Sequence, residues 1–165
     1  MKRTVFLLVG LMACNSPLLN HVNADDLSRK DPSAAGEPLT ADDAKNCPLA
    51  FPEAGLCAEL IWKATPTADE LATFTLKFWN EADADRKGPY VSPTDEPFVK
   101  LWMTSMGHGS SPVKLAPARD AEGAPVDGVY DGTDAFFSMG GDWDVKVQLR
   151  REKKVQEEAV LKVKI

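Results

Sequence analysis

The sequence predicts an all-β protein, and three observations carry that expectation. Apolar residues recur at every second position through most of the chain after residue 55, the period of a half-buried strand. Proline and glycine clusters punctuate these runs at Gly88-Pro89, Ser92-Pro93, Ala116-Pro117, Ala124-Pro125 and Gly140-Gly141. No run carries a helical repeat, and Gly and Pro recur too often over 104–141 for a helix to persist there. In order, Leu56, Ala58, Leu60 and Trp62 form the first row, and Phe74, Leu76 and Phe78 the second. Val99, Leu101 and Met103 form the third, and Val113 and Leu115 a short fourth. Val129, then Phe137 and Met139, mark strands on either side of Gly132. Trp143, Val145, Val147 and Leu149 make the clearest inward row, against Asp142, Asp144, Lys146 and Gln148. Leu161, Val163 and Ile165 alternate with Lys162 and Lys164 at the end. Seven or eight short strands of this kind read as a β-sandwich. Gly140-Gly141 is expected to close a tight hairpin, and the 150–154 run Arg-Arg-Glu-Lys-Lys a polar one.

Length and charge bound the rest. The 165 residues suit one domain with a tail. A net charge of -6 argues against a nucleic-acid binder, which needs a basic face. Two His and three Cys exclude a zinc-finger array. The longest apolar run, Val5 to Met12, is too short to cross a bilayer as a helix.

That run follows Lys2 and Arg3 and has the length of a signal-peptide core. Leu11-Met12-Ala13-Cys14 resembles a bacterial lipobox, a signal in which the cysteine is lipidated and becomes the first residue of the mature chain. The expected organisation is a lipoprotein signal peptide over 1–13, a lipidated flexible tether over 14–46 and a β-sandwich domain over 47–165. Asn15 stands where an inner-membrane retention signal usually has Asp, so the resemblance favours the outer membrane, facing the periplasm. Removing 1–13 takes away Lys2 and Arg3, leaving 17 basic against 25 acidic side chains, a net -8. Such a body does not hold to an anionic lipid surface by itself, and the acyl chains must anchor it. The Pro- and Asp-rich residues 15–46 read as a coil spanning roughly 30 Å.

With Cys14 lipidated, Cys47 and Cys57 remain as a pair, ten positions apart around Pro48, Pro52 and Gly55. The spacing fits no common zinc pattern and the compartment is oxidising, so a disulfide is expected.

The mature chain's methionines fall in two short stretches. Met103 and Met106 lie in the 101–109 run Leu-Trp-Met-Thr-Ser-Met-Gly-His-Gly, with His108; Met139 lies in the 136–143 run Phe-Phe-Ser-Met-Gly-Gly-Asp-Trp. Thioether sulfur is a soft donor and, with imidazole, suits Cu(I). Gly107 and Gly109 flank His108 and are expected to let its ring swing. Met106 and His108 would share a face if that segment is extended. Met103, Met106, His108 and Met139 therefore form a candidate neutral copper site. The competing reading is packing: Met103 has the inward phase of Val99 and Leu101, and Met139 that of Phe137. Trp102 and Trp143 are expected to pack rather than to face cations.

The 102–109 run, Gly128-Val129-Tyr130 and the 137–143 run together resemble the YtkA-like domain, related to the FixH group. That family has a Met-Pro-x-Met-x-His run, then Gly-x-Tyr, then Met-x-Gly-x-Trp. Thr104 stands here where the family has Pro, which removes no donor atom. The resemblance spans about residues 56–150. It implies an immunoglobulin-like β-sandwich of about seven strands outside the cytoplasm, linked to copper handling, efflux or cytochrome oxidase assembly.

Other chemistry is thinly represented. One His in the domain and no Gly-x-Ser-x-Gly element argue against a hydrolase, and no enzyme is expected. Asp127, Asp131, Asp134, Asp142 and Asp144 lack calcium-loop spacing and read as turn formers and solvated strand faces. The leading expectation is a lipid-anchored envelope protein that binds copper for handling or delivery, with a membrane anchor and an envelope protein partner. The alternative is a metal-free interaction module of an envelope complex, docking through a sheet face or edge.

Overall fold

The computed structural model describes residues 47–83 and 88–165. The expected signal peptide, the expected lipidation at Cys14 and the expected tether lie outside the described residues. The described chain is all β, with nine strands in two antiparallel sheets. They are β1 (Leu49–Phe51), β2 (Leu56–Trp62), β3 (Leu71–Asn80), β4 (Glu96–Met103), β5 (His108–Gly109), β6 (Lys114–Arg119), β7 (Pro125–Phe136), β8 (Asp142–Arg151) and β9 (Lys154–Lys164). One sheet has the order β1-β2-β3-β7-β6, the other β5-β4-β8-β9.

Without the two shortest strands, the sheets reduce to β2-β3-β7-β6 and β4-β8-β9. In chain order that is the ABED and CFG arrangement of a seven-stranded immunoglobulin constant-type domain. The expected fold stands, and β1 and β5 bring the count to nine. They were not foreseen because strands of three and two residues carry no readable alternation.

The alternating rows meet between the sheets. Phe74, Leu76 and Phe78 from β3 face Val99 and Leu101 from β4 and Trp143, Val145 and Val147 from β8, all essentially buried in one cluster. Each such side chain contributes roughly 1.5–3 kcal/mol on leaving water. Strand β7 runs unbroken through Gly132, where the sequence suggested an interruption. A Cβ at Gly132 would overlap the Phe74 ring, so the glycine makes room for a core aromatic. The β8–β9 turn is a two-residue hairpin. Glu152 and Lys153 both have positive φ, 52° and 66°, as a type I′ turn requires.

Gly140-Gly141 does not close a hairpin. β7 and β8 belong to different sheets, so residues 137–141 cross the end of the sandwich. Gly141, with φ 140°, exchanges both backbone hydrogen bonds with Ile165, each 2.9 Å, and so continues the β8–β9 ladder by one pair.

Cys47 and Cys57 form the expected disulfide, joining the segment just ahead of β1 to β2. It packs on the buried Trp79, in a cluster separate from the core between the sheets. Closing so short a loop restricts the unfolded chain by about 2–3 kcal/mol. Reduction, or a Cys47→Ala/Cys57→Ala variant, is therefore expected to lower stability by about that amount in urea denaturation, with the native spectrum retained below the transition.

The acidic residues of 127–144 all lie in strands β7 and β8, as solvated strand faces, and none of them forms a turn as the sequence also suggested. Asp131 pairs with Lys63 at 2.8 Å and Asp134 with Lys114 at 2.7 Å. Asp127 accepts from the Ser92 amide at 3.1 Å, tying the segment before β4 to β7. Hydrogen bonding from the Ser92 hydroxyl, with smaller help from the Ser92 and Gly128 amides, holds the Asp127 carboxyl below its ordinary 3.8. A depressed folded-state value adds stability above the unfolded value, lost as pH falls through the folded one. The wild type should thus exceed an Asp127→Asn variant in urea midpoint at neutral pH, and the gap should close on acidification below the carboxylate range.

Candidate metal-binding end of the sandwich

The last residue of β4, Met103, pairs across the ladder with His108 of β5. Residues 104–107 form the turn between them, closed by Met106 and Gly107 amides donating to the Met103 carbonyl at 3.2 and 2.9 Å. Directly opposed residues of an antiparallel pair project to the same face. His108 therefore shares the inward face of Met103 and stands half-buried at the rim of the core.

The segment is not extended between Met106 and His108, so the expected shared face of those two residues does not form. Met106 instead sits at the turn, 60% exposed. Nor do the flanking glycines free the His108 ring. Gly107 has φ 67° and shapes the turn, and a Cβ at Gly109 would come within 2.9 Å of the Leu101 carbonyl, so Gly109 permits close strand contact. The ring is held on two sides: Nδ1 lies 3.2 Å from the Gly109 carbonyl, and Trp143 meets it edge-on with centroids 6.3 Å apart. A carbonyl only accepts, so this bond places the proton on Nδ1 and leaves the Nε2 lone pair open.

Trp143 joins the two methionine-bearing stretches. Its indole N–H donates to the Met139 carbonyl at 3.1 Å, and its ring packs edge-on against Phe137 at 5.4 Å. Ser110, just after β5, donates its hydroxyl to the Phe136 carbonyl, tying the β5 side to the end of β7 where the crossing segment begins. Met139 projects from that segment, 38% exposed. Met103 is 3% exposed, and its methyl group lies against Gly141, where a Cβ would come within 2.6 Å of it. All four candidate residues thus belong to one end of the sandwich, Met103 buried, His108 half-buried, Met106 and Met139 exposed to solvent. Among the described residues there is no group of three or more His, Cys, Asp or Glu suited to a metal, so any ion here would depend on thioethers.

Three supporting features had no signal in the sequence. Gly141 makes room for the Met103 methyl, and Ser110 ties the end of β7. Thr104 donates to Asp144 at 2.8 Å and pins the turn that carries Met106. Each depends on which strands become neighbours, which alternation does not state. Beside the turn, an open cleft of about 400 Å³ is lined by Thr104, Ser105, Asp142, Asp144, Lys162 and Lys164. Trp143 packs as expected. Trp102 does more: it is half-buried on the outer face, and the Lys100 ammonium lies 4.3 Å from its ring centroid, because residues two apart on a strand share a face.

No family model, curated protein or solved structure matches this chain. The fold and the geometry of this end are therefore the grounds on which function is argued.

Proposed function

We propose that this protein binds Cu(I) at the end of its sandwich through Met103, Met106, His108 and Met139, and that a lipid on Cys14 anchors it in the bacterial envelope, where it buffers or delivers the metal. The observation that carries the reading is the orientation of His108. Its ring is fixed by the Gly109 carbonyl and Trp143, with the Nε2 lone pair free of the proton, on the same face as a buried thioether and at the same end of the sandwich as two exposed ones. Three thioethers and a neutral imidazole make a soft, uncharged donor set, which favours Cu(I) over harder divalent ions. A second-layer acceptor on the far ring nitrogen is the usual way an imidazole ligand is oriented. The two exposed methionines would be the first donors displaced by an incoming partner, so exchange would proceed from the rim while Met103 and His108 still hold the ion. No catalysis is ascribed to this end.

The competing reading is a metal-free interaction module, favoured by the burial of Met103 in the core cluster. Titration with Cu(I) against a competing chelator separates the two, in a Cys14→Ser background so that no free thiol competes. The copper reading expects one equivalent bound, lost in a Met106→Ala/His108→Ala variant. It also expects affinity to fall on acidification as protons compete for the imidazole. Equal uptake by both forms overturns the ligand assignment; affinity indifferent to pH removes His108 from it.

A further inference from the structure

We propose that the free edge of β9 pairs with β9 of a second copy of this chain, antiparallel about Val160, to form a symmetric dimer. β9 is the outermost strand of its sheet. Gly141 and Ile165 exchange both backbone bonds, and this fixes the phase of the whole ladder. Alternate residues from there (Val163, Leu161, Ala159 and Glu157) turn their backbone groups toward β8. The intervening residues, Glu158, Val160, Lys162 and Lys164, turn theirs to the open side. Near its start the Glu157 carboxylate accepts from the Glu53 and Ala54 amides at 2.8 and 2.9 Å, and β1 packs alongside the strand, but among the described residues no backbone hydrogen bond reaches the outward groups from Glu158 onward. From Glu158 onward the edge contains no proline and no bulge, and Val160 is 42% exposed. An open edge of that kind is a template for another strand.

Charge selects both the occupant and the register. Glu158, Val160 and Lys162 share the outer face of the sheet, with opposite charges on either side of an apolar centre. An antiparallel copy centred on Val160 sets Val160 against Val160 and, on both sides, Glu158 against Lys162 of the other copy. All three positions have outward backbone groups, so each pair can exchange both hydrogen bonds. On the inner face the same register sets Ala159 against Leu161. Centring on Lys162 would oppose that residue to itself, and a parallel in-register pairing would align the lysines; like charges directly opposed destabilise a sheet. Glu158 already accepts from Lys146 at 2.9 Å and from Gln148, which fixes its carboxylate at the edge while leaving lone pairs for a further cation. The result is an isologous two-fold interface and one continuous sheet across both copies. The metal-binding ends lie beyond the carboxyl ends of the two β9 strands. The dimer would hold them on opposite sides, about 30 Å apart at the strand rise per residue, and both open.

The test is sedimentation of the full, unlipidated chain carrying Cys14→Ser, with chelator present, so that the outcome does not depend on copper binding. The wild type should dimerise as concentration rises. A Lys162→Glu chain and a Glu158→Lys chain should each be monomeric, because each opposes like charges to itself. Mixed together they should form a heterodimer, because every opposed pair is then complementary. Val160→Pro removes only an outward N–H, leaves the β8–β9 bonds intact and should give a folded monomer. A wild type that stays monomeric to the millimolar range overturns the proposal. So does a dimer that survives Val160→Pro, or charge variants that fold but fail to pair on mixing.

Discussion

Replacing Gly132 with alanine is expected to destabilise the sandwich by about 3 kcal/mol, toward the upper part of the range for overpacking a core. The added methyl would overlap the Phe74 ring rather than displace solvent. Phe74 cannot retreat easily. It is fully buried, and Trp62 packs edge-on against it with centroids 5.3 Å apart. The β3–β7 register also shifts between Ala72 and Phe74, next to this contact, so the strands already accommodate the ring by an irregularity. Urea denaturation should show the lower midpoint. A double variant, Gly132→Ala/Phe74→Leu, separates overlap from backbone effects. Shrinking the ring opens space for the methyl, so the pair should cost less than the sum of its single changes, by about 0.5–3 kcal/mol. Strict additivity would mean that the alanine acts through the backbone alone.

Gly132 also shows where the sequence was legible and where it was not. Period-two alternation located most of the long strands, because their inward faces share one core; it also marked a strand at Phe137 and Met139, which lie in the crossing segment instead, and touched β6 only at Leu115, since that edge strand has no alternating burial. It did not show that β7 passes through Gly132. A glycine inside a strand pattern reads as a break, whereas here it answers a bulky neighbour on another strand. Gly140-Gly141 misled for a related reason: paired glycines signal a tight turn, but alternation does not say to which sheet the next strand belongs. The disulfide was readable because two of the three cysteines lie ten positions apart in a turn-rich stretch. At the candidate site the inward phase of Met103 was visible. Its pairing with His108 was not, since β5 is two residues long and its register is set by a turn. The outer face of the four-stranded sheet was equally hidden. Phe98 lies under Arg150, whose guanidinium carbon is 3.4 Å from the ring centroid, a contact between β4 and β8 that needs the strand order to be known.

Trp143→Ala is the substitution expected to harm both fold and site most. Truncating a fully buried tryptophan costs about 3–5 kcal/mol, a large share of the 5–15 kcal/mol typical of a domain. Such a variant should unfold at much lower urea, and any loss of copper binding by it would be uninformative. Trp143→Phe is the sharper experiment. Phenylalanine keeps an aromatic edge against Phe137 and His108 but removes the indole N–H, so the Met139 carbonyl loses its donor. The stability cost should be nearer 1–2 kcal/mol, that of one hydrogen bond and a partly filled cavity. The crossing segment that carries Met139 would then be held by the Asp69 amide on the Phe137 carbonyl, at 2.9 Å, and by the Gly141–Ile165 pair. If the four candidate residues act as one site, this variant should remain folded by near-ultraviolet dichroism and still bind Cu(I) more weakly than wild type. A Trp102→Phe control lies on the opposite face of β4 and should leave affinity unchanged. Undiminished affinity in Trp143→Phe would mean that Met139 reaches the metal without its carbonyl anchor, or takes no part in binding it. A Met139→Ala variant distinguishes the two, since it lowers affinity only in the first case.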